Sequence, residues 1–380
     1  MEVGIIGKGK MGRDVFNHLF QFDDKLVLIC RKLQDVEEIT SSVEKQLKKM
    51  LKRGYITNSE YEEKMQSFLV SNDLSALKNC DLVIESIFEE KELKQDIFER
   101  VESIVKPECI LASNTSSIPL NIVFEKCKIK ERCLGMHFFF PVKVTRTVEV
   151  SKTRFTEQKY VEVVKELVKK IDKTPLELKE EANMILSKML LNMISQNYII
   201  YEENYLTMEE IDKALKENLF TFGLFEIIDS TGINIVLESR ENFNSHRYMN
   251  LYTPFYNRGK KLLEEGYPGG VGNKGLIAYE QEHPVTLKKV DEAELEDYKQ
   301  NIVLRLQSLL INELAFLINN EYVEKDQMNE AVKEALGLSE DPISMLKRIG
   351  NQKIIDCLLD SYEKSQDDLY KPEDLSVLNN

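Results

Sequence analysis

Residues 2–12 read EVGIIGKGKMG, and this stretch decides the fold of the first half of the chain. The apolar run at 2–6 predicts a buried strand, and the pattern GxGxxG follows it directly, where a helix would begin. In that context Gly7 permits a tight turn, Gly9 lets the backbone approach a pyrophosphate, and Gly12 allows the helix to pack closely on the strand. The helix N-terminus would offer free N–H groups to the phosphates, unless the turn is merely glycine-rich and binds nothing. The residues expected to contact a dinucleotide are Gly7, Gly9, Lys10, Met11 and Gly12.

Short apolar runs continue to alternate with helical stretches through residue 181, which predicts a mostly parallel sheet covered by helices. We expect this α/β part to be a Rossmann domain at 1–181. The rhythm is interrupted at 35–68, where two charged helices joined near Gly54 predict a projecting helical arm. The predicted strands are 2–6, 25–30, 82–86, 109–112, 133–138 and 147–150.

The second half of the chain is dominated by helical periodicity, which predicts an all-α region after the α/β domain. Residues 202–216 read EENYLTMEEIDKALK and have an imperfect counterpart at 319–333, NNEYVEKDQMNEAVK. Unless this similarity is coincidental, it indicates two related helical units joined by a loop-rich stretch. We expect the first unit at 182–285 and the second, a degenerate duplicate, at 286–380.

Composition and charge limit which partners and which cellular location the chain can have. With 51 Lys and Arg against 65 Asp and Glu, the formal net charge is −14, which argues against nucleic-acid binding. No apolar run reaches the roughly 18 residues that a membrane span needs, and the first residues enter a strand rather than a signal peptide. The six cysteines have neither a CxxC pair nor metal-ligand spacing, so we expect buried thiols, no metal site, no membrane contact and a cytoplasmic location.

The end of the second predicted strand bears on the choice of dinucleotide. NAD enzymes usually place Asp or Glu there to accept a hydrogen bond from the ribose 2′-hydroxyl. This chain has Cys30 followed by Arg31 and Lys32. A thiol would not repel a 2′-phosphate, and Arg31 could pair with one. We therefore favour NADP over NAD, while NAD would still bind if Arg31 only stacks on adenine or faces solvent.

Two segments carry groups that could perform proton chemistry. Residues 112–117 read ASNTSS after a predicted strand, and residues 137–141 read HFFFP, with Glu149 twelve residues beyond His137. A lone histidine beside phenylalanines is usually a core residue, but a carboxylate on the neighbouring strand changes this interpretation. An imidazole bonded to a carboxylate is held in one tautomer, and its second nitrogen is free for proton transfer.

Taken in order, these segments resemble those of 3-hydroxyacyl-CoA dehydrogenases along most of the chain. The spacing of Glu149 from His137 is that of the family, and the doubled helical region is similar to its longer members. The resemblance implies hydride transfer between NAD(P) and a 3-hydroxyacyl or 3-ketoacyl thioester of CoA, by a monomer or a homodimer. Further similar segments are 52–57 (KRGYIT), 81–89 with Lys94, 225–229 (FEIID) and 272–275 (GNKG).

The resemblance also implies a role for each candidate residue. His137 would exchange a proton with the substrate oxygen, and Glu149 would orient it and balance its charge. Glu89 and Lys94 would lie on the nicotinamide-ribose side of the cofactor. The arm would meet the phosphates of CoA or of a carrier protein, unless it is simply a solvated charged face. The residues left for the substrate are Ser116 and Asn114 at its oxygen, Ser187 and Phe140 at the thioester, and Gln46, Lys49 and Arg53 of the arm.

Two departures from the family's pattern leave alternatives open. Phe140 and Ser187 each stand where the family has Asn. The substrate could therefore be an unusual hydroxyacyl group on an acyl carrier protein, as in secondary metabolism. A third interpretation is a non-catalytic protein that binds the dinucleotide without turnover, although the preserved pair of His137 and Glu149 argues against it.

Overall fold

The computed structural model of the protein describes residues 1–22, 25–179, 184–243 and 246–379, without the side chains of residues 242 and 246. The chain divides into two compact units, Met1–Asn183 and Met184–Asn380. The boundary predicted between residues 181 and 182 lies outside the described residues. The division predicted between residues 285 and 286 falls within the second unit and stays a prediction.

The first unit contains one sheet formed by β1 (Glu2–Ile6), β2 (Lys25–Ile29), β3 (Phe68–Ser71), β4 (Leu82–Glu85), β5 (Ile110–Ser113), β6 (Cys133–Phe138), β7 (Thr147–Lys152) and β8 (Thr174–Leu178). The strands lie in the order β3-β2-β1-β4-β5-β6-β7-β8. Neighbours are parallel except β6 and β7, which are antiparallel. All residues of β4, β5 and β6 are buried, as expected for strands covered on both faces. The predicted α/β fold is confirmed, and β3 and β8 are two strands that the sequence analysis missed.

The helices of the first unit are α1 (Lys10–Leu19), α2 (Leu33–Lys52), α3 (Asn58–Gln66), α4 (Lys91–Glu102), α5 (Leu120–Val123) and α6 (Gln158–Lys170). Helix α1 buries Val15, Phe16 and Leu19 in the core that also holds the apolar residues of β1 and β2. The order of strands reverses between β1 and β4. At such a reversal, a crevice for ligands opens at the carboxyl ends of the strands.

The arm predicted at 35–68 consists of α2 followed by α3. Ile39, Val43 and Leu47 lie four residues apart on one face of α2 and are buried in the same core as the strands. Helix α3 buries none of its residues fully, although some of its apolar side chains touch that core. The arm is therefore anchored to the sheet along α2 rather than projecting freely, because an apolar stripe runs through its charged sequence.

The described part of the second unit is helical and comprises α7 (Ile185–Glu202), α8 (Met208–Asn218), α9 (Leu224–Thr231), α10 (Ile233–Phe243), α11 (Met249–Glu264), α12 (Leu276–Glu282), α13 (Glu292–Asn319), α14 (Lys325–Ala335), α15 (Pro342–Ile349) and α16 (Asn351–Ser365). Helix α13 packs against α7, α8, α14, α15 and α16. Among the described helices, α13 alone is long and apolar enough to cross a membrane, but 72% of its apolar window is buried within the protein. This burial is typical of a core helix.

The two segments of the sequence repeat share backbone details. Asn204 and Glu321 occupy the same position of the repeat, and both have left-handed backbones with φ of 59° and 54°. Asp212 on α8 accepts backbone N–H groups at the start of α9, and Asn329 on α14 accepts one at the start of α15. In both copies of the repeat, the side chain at the same position therefore accepts backbone N–H groups at the start of the following helix.

Candidate active site

The glycine loop between β1 and α1 has two positions, Gly7 and Gly12, at which only glycine fits. Gly7 has φ of 121°, and an added Cβ would lie 2.1 Å from the carbonyl oxygen of Ser86, just after β4. A Cβ on Gly12 would lie 2.2 Å from the carbonyl oxygen of Gly7. Nothing described lies within 4 Å of a Cβ added to Gly9, so a phosphate group has room to approach the backbone there. The loop therefore fits the pyrophosphate of a dinucleotide, with the N-terminus of α1 beginning at its edge.

The end of β2 has the three residues that the sequence analysis considered and one that it missed. Cys30 is buried, and burial together with the nearby charge of Asp35 raises the pKa of its thiol. Arg31 and Lys32 are exposed. Asp35 is buried, and its Oδ1 lies 2.6 Å from Nζ of Lys8 in the glycine loop. The sequence gives no local signal for this contact, because the two residues are 27 positions apart.

The predicted proton-transfer pair is formed. The antiparallel register of β6 and β7 sets His137 directly opposite Glu149, so that both side chains lie on one face of the sheet. Nδ1 of His137 lies 2.7 Å from Oε2 of Glu149, and both residues are buried. Because a carboxylate only accepts hydrogen bonds, Nδ1 carries the hydrogen and Nε2 is left to act on a substrate. The Phe139 ring packs against the imidazole at 4.6 Å between centroids.

The loop after β5 is tied to the end of β6. Asn114 is buried, its N–H donates to Glu85 O at 2.9 Å, and its Oδ1 accepts the N–H of Phe138 at 2.8 Å. Ser116 is exposed, and its N–H donates to Oε1 of Glu89 at 2.9 Å. The candidate residues Asn114 and Ser116 are therefore held on the same loop, next to the strand that carries the imidazole.

A buried lysine, Lys94, lies between two carboxylates, one of which, Glu89, binds the loop after β5. Nζ of Lys94 lies 2.7 Å from Oε1 of Glu85 and 3.1 Å from Oε2 of Glu89, and Lys94 is only 1% exposed. Burial alone would raise the pKa of Glu89, but Lys94 and the hydroxyls of Thr115 and Ser117 outweigh it and lower that pKa. Both carboxylates raise the pKa of Lys94 against the effect of its burial. The predicted contact of Glu89 and Lys94 with the cofactor stays a prediction, and Glu85 is a partner that the sequence analysis missed.

Phe140 reaches the glycine loop. Its side chain is 47% exposed, and the ammonium of Lys10 lies 3.9 Å from the centroid of its ring. The Phe140–Pro141 peptide bond is cis. The residue that departs from the family's Asn thus makes a cation–π contact with one of the predicted cofactor residues.

The remaining candidates lie on helices. Gln46 and Lys49 are exposed on α2, and Arg53 is exposed at its C-terminal end. Met11 is half-buried in the first turn of α1. Ser187 is half-buried on α7, in the second unit. Their predicted roles toward cofactor and substrate stay predictions.

A glycine loop at a strand-order reversal, with a histidine–carboxylate pair at the end of a nearby strand, defines a dinucleotide-dependent dehydrogenase. Residues 2–181 match the family described as "3-hydroxyacyl-CoA dehydrogenase, NAD binding domain", and residues 184–279 match "3-hydroxyacyl-CoA dehydrogenase, C-terminal domain". The chain therefore belongs to the 3-hydroxyacyl-CoA dehydrogenase family and is an oxidoreductase with an NAD-binding domain. The predicted resemblance is confirmed.

Similar proteins agree in name and fold. A probable 3-hydroxybutyryl-CoA dehydrogenase of Deinococcus radiodurans is 29% identical over 280 residues, which are 73% of this chain and 100% of that protein. The human mitochondrial hydroxyacyl-coenzyme A dehydrogenase is 27% identical over 287 residues, 73% of this chain and 90% of its own length. The crystal structure of 3-hydroxybutyryl-CoA dehydrogenase from Escherichia coli K12 superposes with a TM-score of 0.81 at 19% identity, covering 100% of this chain and 97% of that one. This structure shares the fold of the whole chain, including the helices beyond residue 279.

Proposed function

We propose that the chain interconverts 3-hydroxyacyl and 3-ketoacyl thioesters of CoA, with His137 as the proton carrier. The observation that carries the proposal is the buried contact of 2.7 Å between Nδ1 of His137 and Oε2 of Glu149. Membership of the family supports the class of substrate. The names of the relatives, which refer to 3-hydroxybutyryl-CoA and hydroxyacyl-coenzyme A, point to the same thioesters.

The proton chemistry follows from the two nitrogens of the imidazole. A dinucleotide at the glycine loop supplies the hydride acceptor for oxidation and the hydride donor for reduction. During oxidation the C–H bond of the substrate gives up a hydride, and the hydroxyl proton passes to Nε2 of His137. Glu149 keeps Nε2 free of its own proton beforehand and balances the positive charge of the imidazolium afterwards. During reduction His137 returns the proton to the oxygen of the former ketone.

Asn114 and Ser116 are proposed to bind the oxygen that gains or loses the proton. The Oδ1 atom of Asn114 is already engaged by the N–H of Phe138, so its Nδ2 amide is the donor that would face the substrate. The hydroxyl of Ser116 is the second donor, on a backbone held by Glu89. Two donors aimed at this oxygen stabilise the negative charge that develops on it.

The exposed polar residues of α2 are proposed to meet the phosphates of CoA. Lys49 and Arg53 provide positive charge, and Gln46 provides an amide that can hydrogen-bond to a phosphate oxygen. An acyl carrier protein stays a second candidate for the acyl donor. The observation that favours it is the ring of Phe140, which offers no hydrogen bond to an ordinary thioester and is half exposed.

The test is turnover of acetoacetyl-CoA, followed at the absorbance band of the reduced nicotinamide. His137→Gln should lower kcat by about two to four orders of magnitude, because the proton carrier is removed. The affinity for the dinucleotide should stay within about threefold of the wild type, since the glycine loop is unchanged. The matched control is His283→Gln, which changes an exposed histidine of the second unit.

The outcomes separate the candidates. Full activity in His137→Gln would contradict the proposed role of the imidazole. If the wild type reduces the acetoacetyl group only when it is attached to a carrier protein, the carrier-protein alternative replaces CoA. If the wild type binds dinucleotide but turns over no thioester of either kind, the non-catalytic alternative replaces both.

A further inference from the structure

The second unit contains a cavity of about 850 Å³, and none of the residues assigned to the cofactor or the substrate lines it. Its walls come from α7, α11, α13 and α16, and from the segments that precede α13 and follow α7 and α16. They carry five carboxylates, three cations and three tyrosines. Walls of this composition favour a small charged ligand over an apolar one.

The inner wall of the cavity carries an amide that lacks a partner. Gln196 on α7 is only 2% exposed and lines the cavity. Its Oε1 accepts the hydroxyl hydrogen of Tyr370, while its Nε2 has no acceptor among the residues that the structure describes. A donor in such an enclosed place normally has an acceptor. The missing acceptor is therefore an oxygen atom of a molecule inside the cavity.

The sequence repeat shows how the equivalent place is filled in the other copy. Residues 202 and 319 begin the two copies, so Gln196 corresponds to Glu313, the same number of positions further on. Glu313 is only 1% exposed, and its oxygens accept from Tyr248 at 2.6 Å, from Arg247 at 3.1 Å and from Asn192 at 3.3 Å. Gln196 keeps the tyrosine contact but offers an N–H where Glu313 accepts a guanidinium. The place is thus filled by the protein in one copy, and in the other it calls for an acceptor.

A guanidinium adds positive charge beside this amide. Nη1 of Arg305 lies 2.7 Å from Oε1 of Glu203, its one ion pair within the described part of the chain. Burial raises the pKa of the Tyr370 hydroxyl and the charge of Arg305 opposes this, so the guanidinium lies near that hydroxyl. Asp367 also lines the cavity, and its Oδ1 accepts the N–H of Leu369. Because a guanidinium has five N–H donors, Arg305 can still bind a carboxylate together with the amide.

Two carboxylates near the start of α13 lack a cation. Glu294 and Asp297 line the cavity, are exposed, and make no ion pair with any residue that the structure describes. The two lysines of the lining are engaged elsewhere. The ammonium of Lys288 lies 4.3 Å from the centroid of a tyrosine ring, and Lys364 pairs with Asp360 at 2.6 Å. Since carboxylates outnumber cations in the lining, this end of the cavity attracts a positively charged group.

The two ends of the cavity lie along one helix. Asp297 and Arg305 are on α13, with Asn301 between them on the same face. The intervening stretch of helix rises about 12 Å. The two side chains span only part of this distance, so a ligand that meets both ends needs its charged groups several atoms apart.

We infer that the cavity binds a small zwitterion, an amino acid whose carboxylate and ammonium are separated by several carbon atoms. The carboxylate accepts from Nε2 of Gln196 and from Arg305, and the ammonium lies between Glu294 and Asp297. An α-amino acid with a short side chain has its two charges too close together to meet both ends. The inference goes beyond the proposed function, because it rests on residues of the second unit alone and involves neither the dinucleotide nor the thioester.

Calorimetric titration of the full-length protein tests the inference with three ligands of equal chain length. The probe is 6-aminohexanoate, and hexanoate and hexylamine each lack one of its charged ends. We expect 6-aminohexanoate to bind with a Kd below about 1 mM and the other two at least about tenfold more weakly. Binding of hexanoate or hexylamine as tightly as the probe would overturn the inference, and so would no binding of the probe at about 10 mM.

Two variants test the two ends separately. Asp297→Asn removes one outer charge and should raise the Kd for 6-aminohexanoate about tenfold. Gln196→Glu replaces the inner donor by an oxygen that repels a carboxylate and should raise this Kd at least about tenfold. The matched control is Glu296→Gln, an exposed carboxylate of α13 outside the lining, which should leave the Kd unchanged.

Unchanged affinity in a folded Asp297→Asn or Gln196→Glu would overturn the inference. If Gln196→Glu does not fold, the comparison of the three ligands and Asp297→Asn decide the outcome, because Asp297 is exposed and its substitution leaves the core intact. All three variants should turn over acetoacetyl-CoA as the wild type does. Failure of this inference would therefore leave the proposed function in place, and loss of turnover in the wild type would leave the zwitterion site in place.

Discussion

Glu149→Gln isolates the electrostatic part of the proton transfer. The glutamine has nearly the same shape, and its carbonyl oxygen can still accept the Nδ1 hydrogen of His137, so the imidazole keeps its orientation. What is lost is the negative charge, which lies 2.7 Å from Nδ1 in a buried site. Removing one partner of a buried ion pair costs about 3–5 kcal/mol. Because the imidazolium is fully charged only after proton transfer, we expect the lower part of this range, which is about a 100- to 1,000-fold loss of kcat.

The assay is steady-state oxidation of NADH by acetoacetyl-CoA, with the Kd for NADH measured in parallel. The Kd should be unchanged, because the glycine loop is not altered, so the loss should lie in kcat. Glu162→Gln on the exposed side of α6 is the matched control and should behave as the wild type. A kcat within threefold of the wild type would refute the argument, and so would a loss that resides entirely in cofactor affinity.

Four further substitutions test the first unit outside the pair of His137 and Glu149. Gly12→Ala sets a methyl group 2.2 Å from a backbone oxygen and should lower the free energy of unfolding by at least about 2 kcal/mol in urea titrations. Gly9→Ala has open space around the added methyl group, so it should keep the free energy of unfolding of the wild type and weaken NADH binding about tenfold. Lys94→Met leaves two carboxylates without their buried cation and should lower the free energy of unfolding by about 3–5 kcal/mol, again measured in urea. Burial would raise the pKa of Glu177, but Lys165 and neighbouring donors lower it from 4.5 to about 2. The stabilisation by Glu177 is therefore complete above pH 4.5 and should disappear, by up to about 3 kcal/mol, as the pH falls to 2, and acid titration of Glu177→Gln should lack this component.

The central strands could be predicted because each is a continuous apolar run followed by a recognisable turn. The strand–glycine-loop–helix unit at 2–12 is a local pattern, and the structure forms it at the predicted residues. The two missed strands lie at the edges of the sheet, where fewer contacts require apolar side chains. β3 is only four residues long, and β8 contains Pro175 and Glu177, which an edge strand tolerates.

In the candidate site, contacts between residues on consecutive strands could be predicted from the sequence, and contacts set by tertiary packing could not. His137 and Glu149 lie on consecutive strands, so their spacing of twelve residues carried the information for their contact. Asp35 meets Lys8 only because the turn into α2 folds back on the glycine loop. Glu85 is the last residue of a buried strand, so the sequence pattern assigns it to the core. Its hydrogen bond with Lys94 depends on how α4 packs. Contacts of this second kind are set by tertiary structure and leave no periodic signal in the sequence.

Nitrogen NMR of the protein labelled with ¹⁵N-histidine tests the central claim most directly. The chain has four histidines, and comparison with His137→Gln assigns the signals of His137. For the neutral form of the ring we predict a hydrogen-bonded Nδ1 proton that exchanges slowly with water, and a bare Nε2. A ring protonated at Nε2, or an Nδ1 proton that exchanges freely, would contradict the claim that Glu149 holds the imidazole ready to accept a proton.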